Sequence, residues 1–367
     1  MSMILPDIPL PFPRRINPLA EAVERHIRAW ARRFGLVSSD AAARRFDDSD
    51  YGGFAARAYC TAAHEDLALC AEWLSWYALL DDQLSEGTYN TAQAWEHALP
   101  GLCTAVLHPE QDTDSQASPA VRALADMCRR TFSRTPSTWY ERFAAHLLST
   151  LRSLAAEATA DRRLNGDLDI EQYLALRRAT AGVPFYVDLI ELAEHAEVPE
   201  AAWRTPAFQE LVAATTDLVC LHNDLYSLDK ELARGNVLNL VLVLERVHGM
   251  TRNQALEAVA ARATQRVDQF CAARHQLQAS LPHIGVDNAA IEKIGRCVTG
   301  MQDWVNGNLE WCQYTPRYGH VEYTEAGNQP SYVEDLLATP CPEGTNERER
   351  GVSKGDGGAS AYGVGAA

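Results

Sequence analysis

The chain has 367 residues, 47% of them apolar, with 49 acidic against 33 basic side chains and a formal net charge of −16. That length and apolar share can build one large helical domain or two ordinary ones, and they exclude wholesale disorder. So acidic a chain disfavours nucleic acid as a partner, because phosphate contacts need a basic face; it suits plain solubility or the gathering of divalent cations.

The opening stretch, MSMILPDIPLPFPRRINP, carries four prolines between positions 6 and 13 and no long apolar segment, so it reads as a Pro-rich arm over 1–14 and not as a signal peptide. After Pro18 the pattern turns helical. LAEAVERHIRAWARRFGL (19–36) sets Ala20, Val23, Ile27, Trp30 and Phe34 on one stripe and stops at Gly35. Further helices are predicted over 64–84, 118–134, 137–160, 169–192, 206–232, 237–248, 251–281 and 289–315, with a polar loop at 109–120. No useful alternating pattern occurs, so the fold class is all-α: a single-domain helical bundle over 15–335. The segment 336–367, whose last stretch EGTNERERGVSKGDGGASAYGVGAA is Gly-rich and charged, reads as a disordered tail. No apolar run approaches the ~18 residues of a membrane helix. Nine scattered cysteines without a C-x-x-C pair fit reduced, buried thiols in a cytoplasmic protein.

Two places break the apolar logic of these helices. In HNDLYSLDKE (222–231), Asn223, Ser227 and Glu231 stand at i, i+4 and i+8, which lines up an amide, a hydroxyl and a carboxylate on one helix face. In LSWYALLDDQLSEG (74–87), Asp81, Asp82 and Glu86 follow the apolar face of Trp73, Trp76, Tyr77 and Leu80. A solvated helix end would explain the acids equally well when they are taken alone. Hard divalent cations change the balance, because Mg²⁺ takes oxygen ligands and is usually held by one or two carboxylates plus phosphate oxygens. Two such helices facing each other would hold metal between them. A third irregularity is A-G-V-P (181–184), inside an otherwise helical run. Gly and Pro there cost about 1 and 3 kcal/mol, so a kink that frees carbonyls near Ala181 is expected.

With these residues in view, the chain resembles the bacterial class I terpene cyclases, which combine an aspartate-rich motif with a downstream N-D-x-x-S-x-x-x-K-E motif. The second matches at Asn223, Asp224, Ser227, Lys230 and Glu231. The family's diphosphate-sensing arginine falls on Arg177 in LRRATAG, and its terminal Arg-Tyr pair on Arg317-Tyr318, after a run of Trp304, Asn308 and Trp311. The four motifs cover about 15–320. The aspartate-rich motif departs from the common DDxxD: it is DDxxxE, with Ser85 at the usual third acidic position. That makes Asp81 the surest metal ligand there and leaves Asp82 and Glu86 open, either as ligands or as supports for one. A stretch that often reads H-N-L-V in relatives is L-N-L-V here (238–241). The absence of a second DDxxD argues against prenyl chain elongation.

The resemblance implies three Mg²⁺ ions held by Asp81, Asn223, Ser227 and Glu231, and a linear prenyl diphosphate whose diphosphate meets Arg177, Lys230, Arg317 and Tyr318. It implies a carbon–oxygen lyase that ionises this substrate and cyclises the cation. Thr180, Ala181 and Gly182 would relay the Arg177 contact. Trp73, Tyr77, Phe185 and Trp304 are the candidate aromatic walls, since ring faces hold cations; plain core packing accounts for any single one of them as well. Farnesyl diphosphate and a sesquiterpene product are favoured. Small Ala78-Leu79-Leu80 before the motif leaves geranylgeranyl diphosphate and a diterpene open, and a homodimer is also left open. A catalytically silent helical binding protein is the remote rival, and intact Asn223, Ser227 and Glu231 argue against it. A metal-dependent phosphohydrolase would want His-Asp pairs, which the sequence lacks. His222 lies about 100° around the helix from Asn223 and reads as structural.

Overall fold

The structure, a computed structural model, describes residues 5–89, 91–163, 168–235, 237–318 and 330–339. Helix α1 (Ala20–Phe34) ends at Gly35, whose φ of 73° is the left-handed value a helix stop needs. The short pair α2 (Asp40–Ser49) and α3 (Tyr51–Ala58) follows, capped by the side chains of Ser39 and Asp50. Next come α4 (His64–Ser85), α5 (Ala92–Leu107), α6 (Pro119–Phe132) and α7 (Ser137–Arg163). Helix α8 (Ile170–Thr180) starts from a capping box of Asp169 and Gln172. It is followed by α9 (Val183–Ala193), α10 (Glu200–Trp203), α11 (Pro206–Tyr226), α12 (Leu228–Arg234), α13 (Leu240–His248), α14 (Arg252–Ser280) and α15 (Asn288–Tyr314), with a last tight turn over Pro316–Tyr318. No strand occurs among the described residues, and none of their helices is long and apolar enough to cross a membrane.

The central helix is α11, which packs on α14, α15, α9 and α8, while α15 also packs on α3 and α9. This wraps α4, α8, α11 and α15 around one interior. Helices α2, α3 and α5 fall where no helix is expected from the sequence. In α3 the Gly-Gly of YGGF resembles a turn, but a Cβ on Gly52 would lie 2.6 Å from the Glu24 backbone, so the glycine serves close packing of α3 on α1. Two expected long helices are each divided: 169–192 at Ala181–Gly182, and 206–232 at Ser227. The ends also differ from the expected 15–335 domain. Ile8 and Phe12 of the arm are buried, the latter with its ring 5.2 Å from that of Phe270, and Leu336 and Leu337, expected in the tail, join the same core. The rest of that tail, 340–367, lies outside the described residues. The eight described cysteines are free thiols.

Candidate active site

A cavity of about 200 Å³ opens between α3, α4, α7, α8, α9, α11, α12 and α15. Asp81, Glu86, Arg177, Asn223, Ser227, Lys230, Glu231, Arg317 and Tyr318 all line it, so the four sequence motifs converge on one space.

On the α4 side, acids meet cations. Arg317 donates to both carboxylate oxygens of Asp82, at 2.7 and 2.8 Å, to Asp81 Oδ2 at 3.3 Å and to the Tyr51 hydroxyl at 3.0 Å. Lys230 Nζ lies 2.5 Å from Glu86 Oε1 and 3.5 Å from Asp82 Oδ1. Burial pushes the Asp82 carboxyl up, but Arg317 and then Lys230 outweigh it and hold it well below the usual carboxylate range. Asp81 differs. Its side chain is 53% accessible, and burial around the cavity keeps its carboxyl raised despite Arg317 and Lys230. It is therefore the acid of this motif that faces the open space with least neutralisation, whereas Asp82 and Glu86 are engaged with Arg317 and Lys230.

On the facing wall the helix divides at Ser227, but the backbone ladder runs through, with Ser227 N donating to Asn223 O at 2.8 Å and Glu231 N to Ser227 O at 2.9 Å. The three oxygens therefore stay stacked. Ser227 Oγ donates to Glu231 Oε1 at 2.7 Å, and Asn239 Nδ2 donates to Glu231 Oε2 at 2.8 Å. Burial and the nearby Asp224 push Glu231 up to about 7, against the Ser227 and Asn239 hydrogen bonds and Arg177. Asn223 Oδ1 accepts from Arg177 Nη2 at 2.9 Å, and Asn223 Nδ2 donates to the Tyr318 hydroxyl at 2.9 Å. Arg177 also lies 3.5 Å from Glu157, a lining residue on α7 with no motif to announce it. Asn239 is a second residue that the sequence quoted, in L-N-L-V, without giving it a task. His222 is fully buried, its Nδ1 3.4 Å from Asn308 Nδ2, and burial lowers it to about 3, so it is neutral and takes no part in the wall.

The α8–α9 break brings Thr180 and Ala181 to the cavity. The Tyr77 hydroxyl donates to the Thr180 carbonyl, while the Ala181 N–H still caps Arg177 O at 2.9 Å. Gly182 sits at φ 72°, and a Cβ there would come within 2.6 Å of the Phe185 ring, so no other residue fits without rearrangement. Gly182 itself shapes the break and is not a lining residue.

Of the expected aromatic walls, Tyr77 and Trp304 line the cavity, and Trp73 and Phe185 do not. Trp73 is fully buried, its indole N–H donating to Thr131 Oγ1 at 3.2 Å and its ring against Phe143. Phe185 is fully buried behind Tyr77 and Tyr186. Both are core, one layer back. The aromatic lining is completed by Tyr51, Phe54, Tyr186 and Trp311, with Trp304 5.3 Å from Phe54 and 5.0 Å from Tyr186. Among the described residues no three His, Cys, Asp or Glu side chains converge as a metal site. The candidate ligands are a mixed oxygen set instead.

Residues 72–269 match the family model "Terpene synthase family 2, C-terminal metal binding". The chain is 32% identical over 341 residues to a pentalenene synthase of Streptomyces avermitilis, covering 91% of this chain and 98% of that one. It is 31% identical to a (-)-beta-caryophyllene synthase ((2E,6E)-farnesyl diphosphate cyclizing) of Saccharothrix espanaensis, covering 89% and 92%. The fold is similar to the solved structures of an a-eudesmol synthase, with TM-score 0.77, 25% identity and coverage of 84% and 99%, and of a germacradien-4-ol synthase from Streptomyces citricolor, with TM-score 0.74, 28% identity and the same coverage.

Proposed function

The chain belongs to the terpene synthase family and is a class I terpene cyclase, and from that premise we propose that it is a Mg²⁺-dependent enzyme that ionises farnesyl diphosphate and cyclises the cation to a sesquiterpene. The observation that carries this reading is the pairing, across one cavity, of Asp81 with the stacked oxygens of Asn223, Ser227 and Glu231. A hard, all-oxygen donor set with a carboxylate on each wall, Asp81 on one and Glu231 on the other, fits Mg²⁺ whose remaining positions are filled by phosphate oxygens. Asp81, Asn223, Ser227 and Glu231 would hold the metal, as three ions on the family's pattern. When bound, Mg²⁺ supplies charge that stabilises the leaving diphosphate.

The chain's own residues do the rest. Arg177, Lys230, Arg317 and Tyr318 present N–H and O–H donors to the diphosphate, and a planar guanidinium can hold two phosphate oxygens at once. Each of these three cations is engaged with a carboxylate, an anionic partner that an incoming diphosphate would replace. At the break the Thr180 carbonyl is held by the Tyr77 hydroxyl, and Ala181 lines the cavity, where its carbonyl can orient the departing allyl group. Phe54, Tyr77, Tyr186, Trp304 and Trp311 then offer ring faces to the cation and few nucleophiles, so it reacts with its own double bonds.

The caryophyllene synthase named above cyclises farnesyl diphosphate, which supports the fifteen-carbon substrate. Ala78 lines the cavity just before the acidic motif and leaves room that favours a longer chain. The test is incubation with ten-, fifteen-, twenty- and twenty-five-carbon prenyl diphosphates, with and without Mg²⁺, followed by product analysis. Cyclic hydrocarbon or alcohol from the fifteen-carbon substrate in Mg²⁺ alone is the expected result. A preference for the twenty-carbon substrate moves the assignment to a diterpene cyclase, and metal-independent turnover defeats the reading of both walls.

A further inference from the structure

Residues 330–339 lie across the end of α4, outside every motif used so far. They are fixed there by two independent anchors. Glu334 accepts hydrogen bonds from the Ser38 N–H at 2.9 Å and from the Ser39 N–H at the head of α2. Leu336, 3% exposed, donates its N–H to Gln83 Oε1 at 3.0 Å and accepts from Ala120 N at 3.0 Å. Between the anchors, Tyr332 lays its ring 4.9 Å from the Arg45 guanidinium and donates its hydroxyl to Glu86 Oε2. Glu86 gives its other oxygen to Lys230 at 2.5 Å.

We propose that Tyr332 is a positioning residue for the diphosphate end of the cavity, acting on Lys230 through Glu86. The inference rests on the reading that Lys230 meets the diphosphate. The Glu86 side chain is fully buried, and a buried carboxylate needs donors on both oxygens. Lys230 supplies one and the Tyr332 phenol another. Without the phenol, Glu86 has one donor fewer and draws more strongly on the Lys230 ammonium, away from the cavity. The phenol thus limits how strongly Glu86 claims Lys230. The strap does not need this hydroxyl to dock, because Glu334, Leu336 and the ring–Arg45 contact hold it.

Tyr332→Phe therefore keeps the strap and removes one hydrogen bond. The measurement is the inhibition constant of inorganic pyrophosphate with Mg²⁺, alongside KM and kcat for farnesyl diphosphate and the melting temperature, for wild type, Tyr332→Phe, Glu86→Gln and the double variant. The expected result is an inhibition constant and a KM about fivefold higher in Tyr332→Phe, the factor one net hydrogen bond carries, with kcat and melting temperature nearly unchanged. In the Glu86→Gln background the same substitution adds less than a factor of about two. An unchanged inhibition constant, an undiminished effect in the Glu86→Gln background, or a variant that loses its fold overturns the proposal. A wild-type chain that binds no pyrophosphate in Mg²⁺ overturns the diphosphate reading itself, which the variant arms leave untouched.

Discussion

The two polar walls of the cavity are built on opposite principles. On the α4 wall, Asp82 is buried against a bidentate Arg317 and held well below the usual carboxylate range. On the α11–α12 wall, Glu231 is held by a hydroxyl and an amide, both neutral, and is pushed up to about 7. One wall is an internally compensated ion-pair cluster. The other is an under-neutralised carboxylate that gains most from a cation. A carboxylate is thus not one kind of group in this site: its neighbours decide whether it is compensated within the fold, like Asp82, or left available to a cation, like Glu231.

Exchanging the two acids for their amides separates these roles, and the largest effects are expected here. Glu231→Gln still accepts from Asn239 and can donate its amide N–H to Ser227 Oγ, which keeps its own bond to Asn223 O, but it loses the anionic ligand, so turnover falls at least about a hundredfold with the melting temperature nearly unchanged. Asn223→Leu loses turnover in the same way, and it also leaves Arg177 and Tyr318 without their amide partner. Asp82→Asn leaves Arg317 and Lys230 under-compensated in a buried setting, which costs about 3 kcal/mol of stability. Thermal melts and kcat on the purified variants decide. If Glu231→Gln melts early while Asp82→Asn melts normally, the contrast between the walls is inverted. If Glu231→Gln cyclises at the wild-type rate, the metal assignment goes.

Neighbouring arginines sharpen the same contrast on a smaller scale. Arg177 reaches the cavity and Asn223, whereas Arg178, 43% exposed, turns away from the cavity and forks onto both oxygens of Asp217 at 2.6 and 2.7 Å. Arg177→Lys loses the planar fork and costs roughly 2 kcal/mol in kcat/KM, about thirtyfold. Arg178→Lys stays within a factor of about two. If Arg178→Lys is the crippled variant, the sensor assignment is off by one residue.

That Arg177 and Arg178 face different surroundings was legible from helix geometry, since adjacent residues point about 100° apart, and so was the stacking of Asn223, Ser227 and Glu231; which arginine meets the cavity was read from the family resemblance. The division of the helix at Ser227 was not: its φ of −86° and ψ of −7° depart only slightly from helical values, and no Gly or Pro marks it. The A-G-V-P break was legible because both breakers are present. The aromatic lining was read only in half, because facing inward and facing the cavity give the same periodicity; Trp73 and Trp304 differ by one layer of packing, which depends on neighbours distant in sequence. Phe54 and Tyr51 were hidden by a Gly-Gly that looks like a turn. Tyr332 and Glu334 lie in a segment with no periodicity, where only the fold shows what they touch.

Acidity offers a gentler probe of the two walls. Glu231 must lose its proton before it can accept a metal ion, and burial holds that proton up to about 7. Below that pH the proton competes with Mg²⁺, so the Mg²⁺ concentration for half-maximal rate rises as pH falls, by at most about tenfold per unit for one displaced proton. Above it the dependence flattens. Asp82, already ionised by Arg317 and Lys230, contributes nothing to this slope. Rate against Mg²⁺ at several pH values between 5.5 and 8.5 tests the sign. A Mg²⁺ requirement that falls on acidification contradicts the assignment of Glu231.

The smallest effect is expected from removing residues 343–367. Among the described residues the two walls of the cavity end at Tyr318, and the strap that reaches Glu86 makes its last buried contacts at Leu336 and Leu337. The segment EGTNERERGVSKGDGGASAYGVGAA lies outside the described residues, and its sequence offers one tyrosine and two isolated valines among alanines, glycines and charges. A chain ending at residue 342 therefore keeps its melting temperature, and its kcat/KM stays within about twofold, a change of under 0.5 kcal/mol. The two quantities separate the ways this can fail. A lower melting temperature at unchanged kcat/KM means that the segment packs on the bundle away from the site. A large loss of kcat/KM at unchanged melting temperature means that it acts at the mouth of the cavity, as a third wall beside the two compared here.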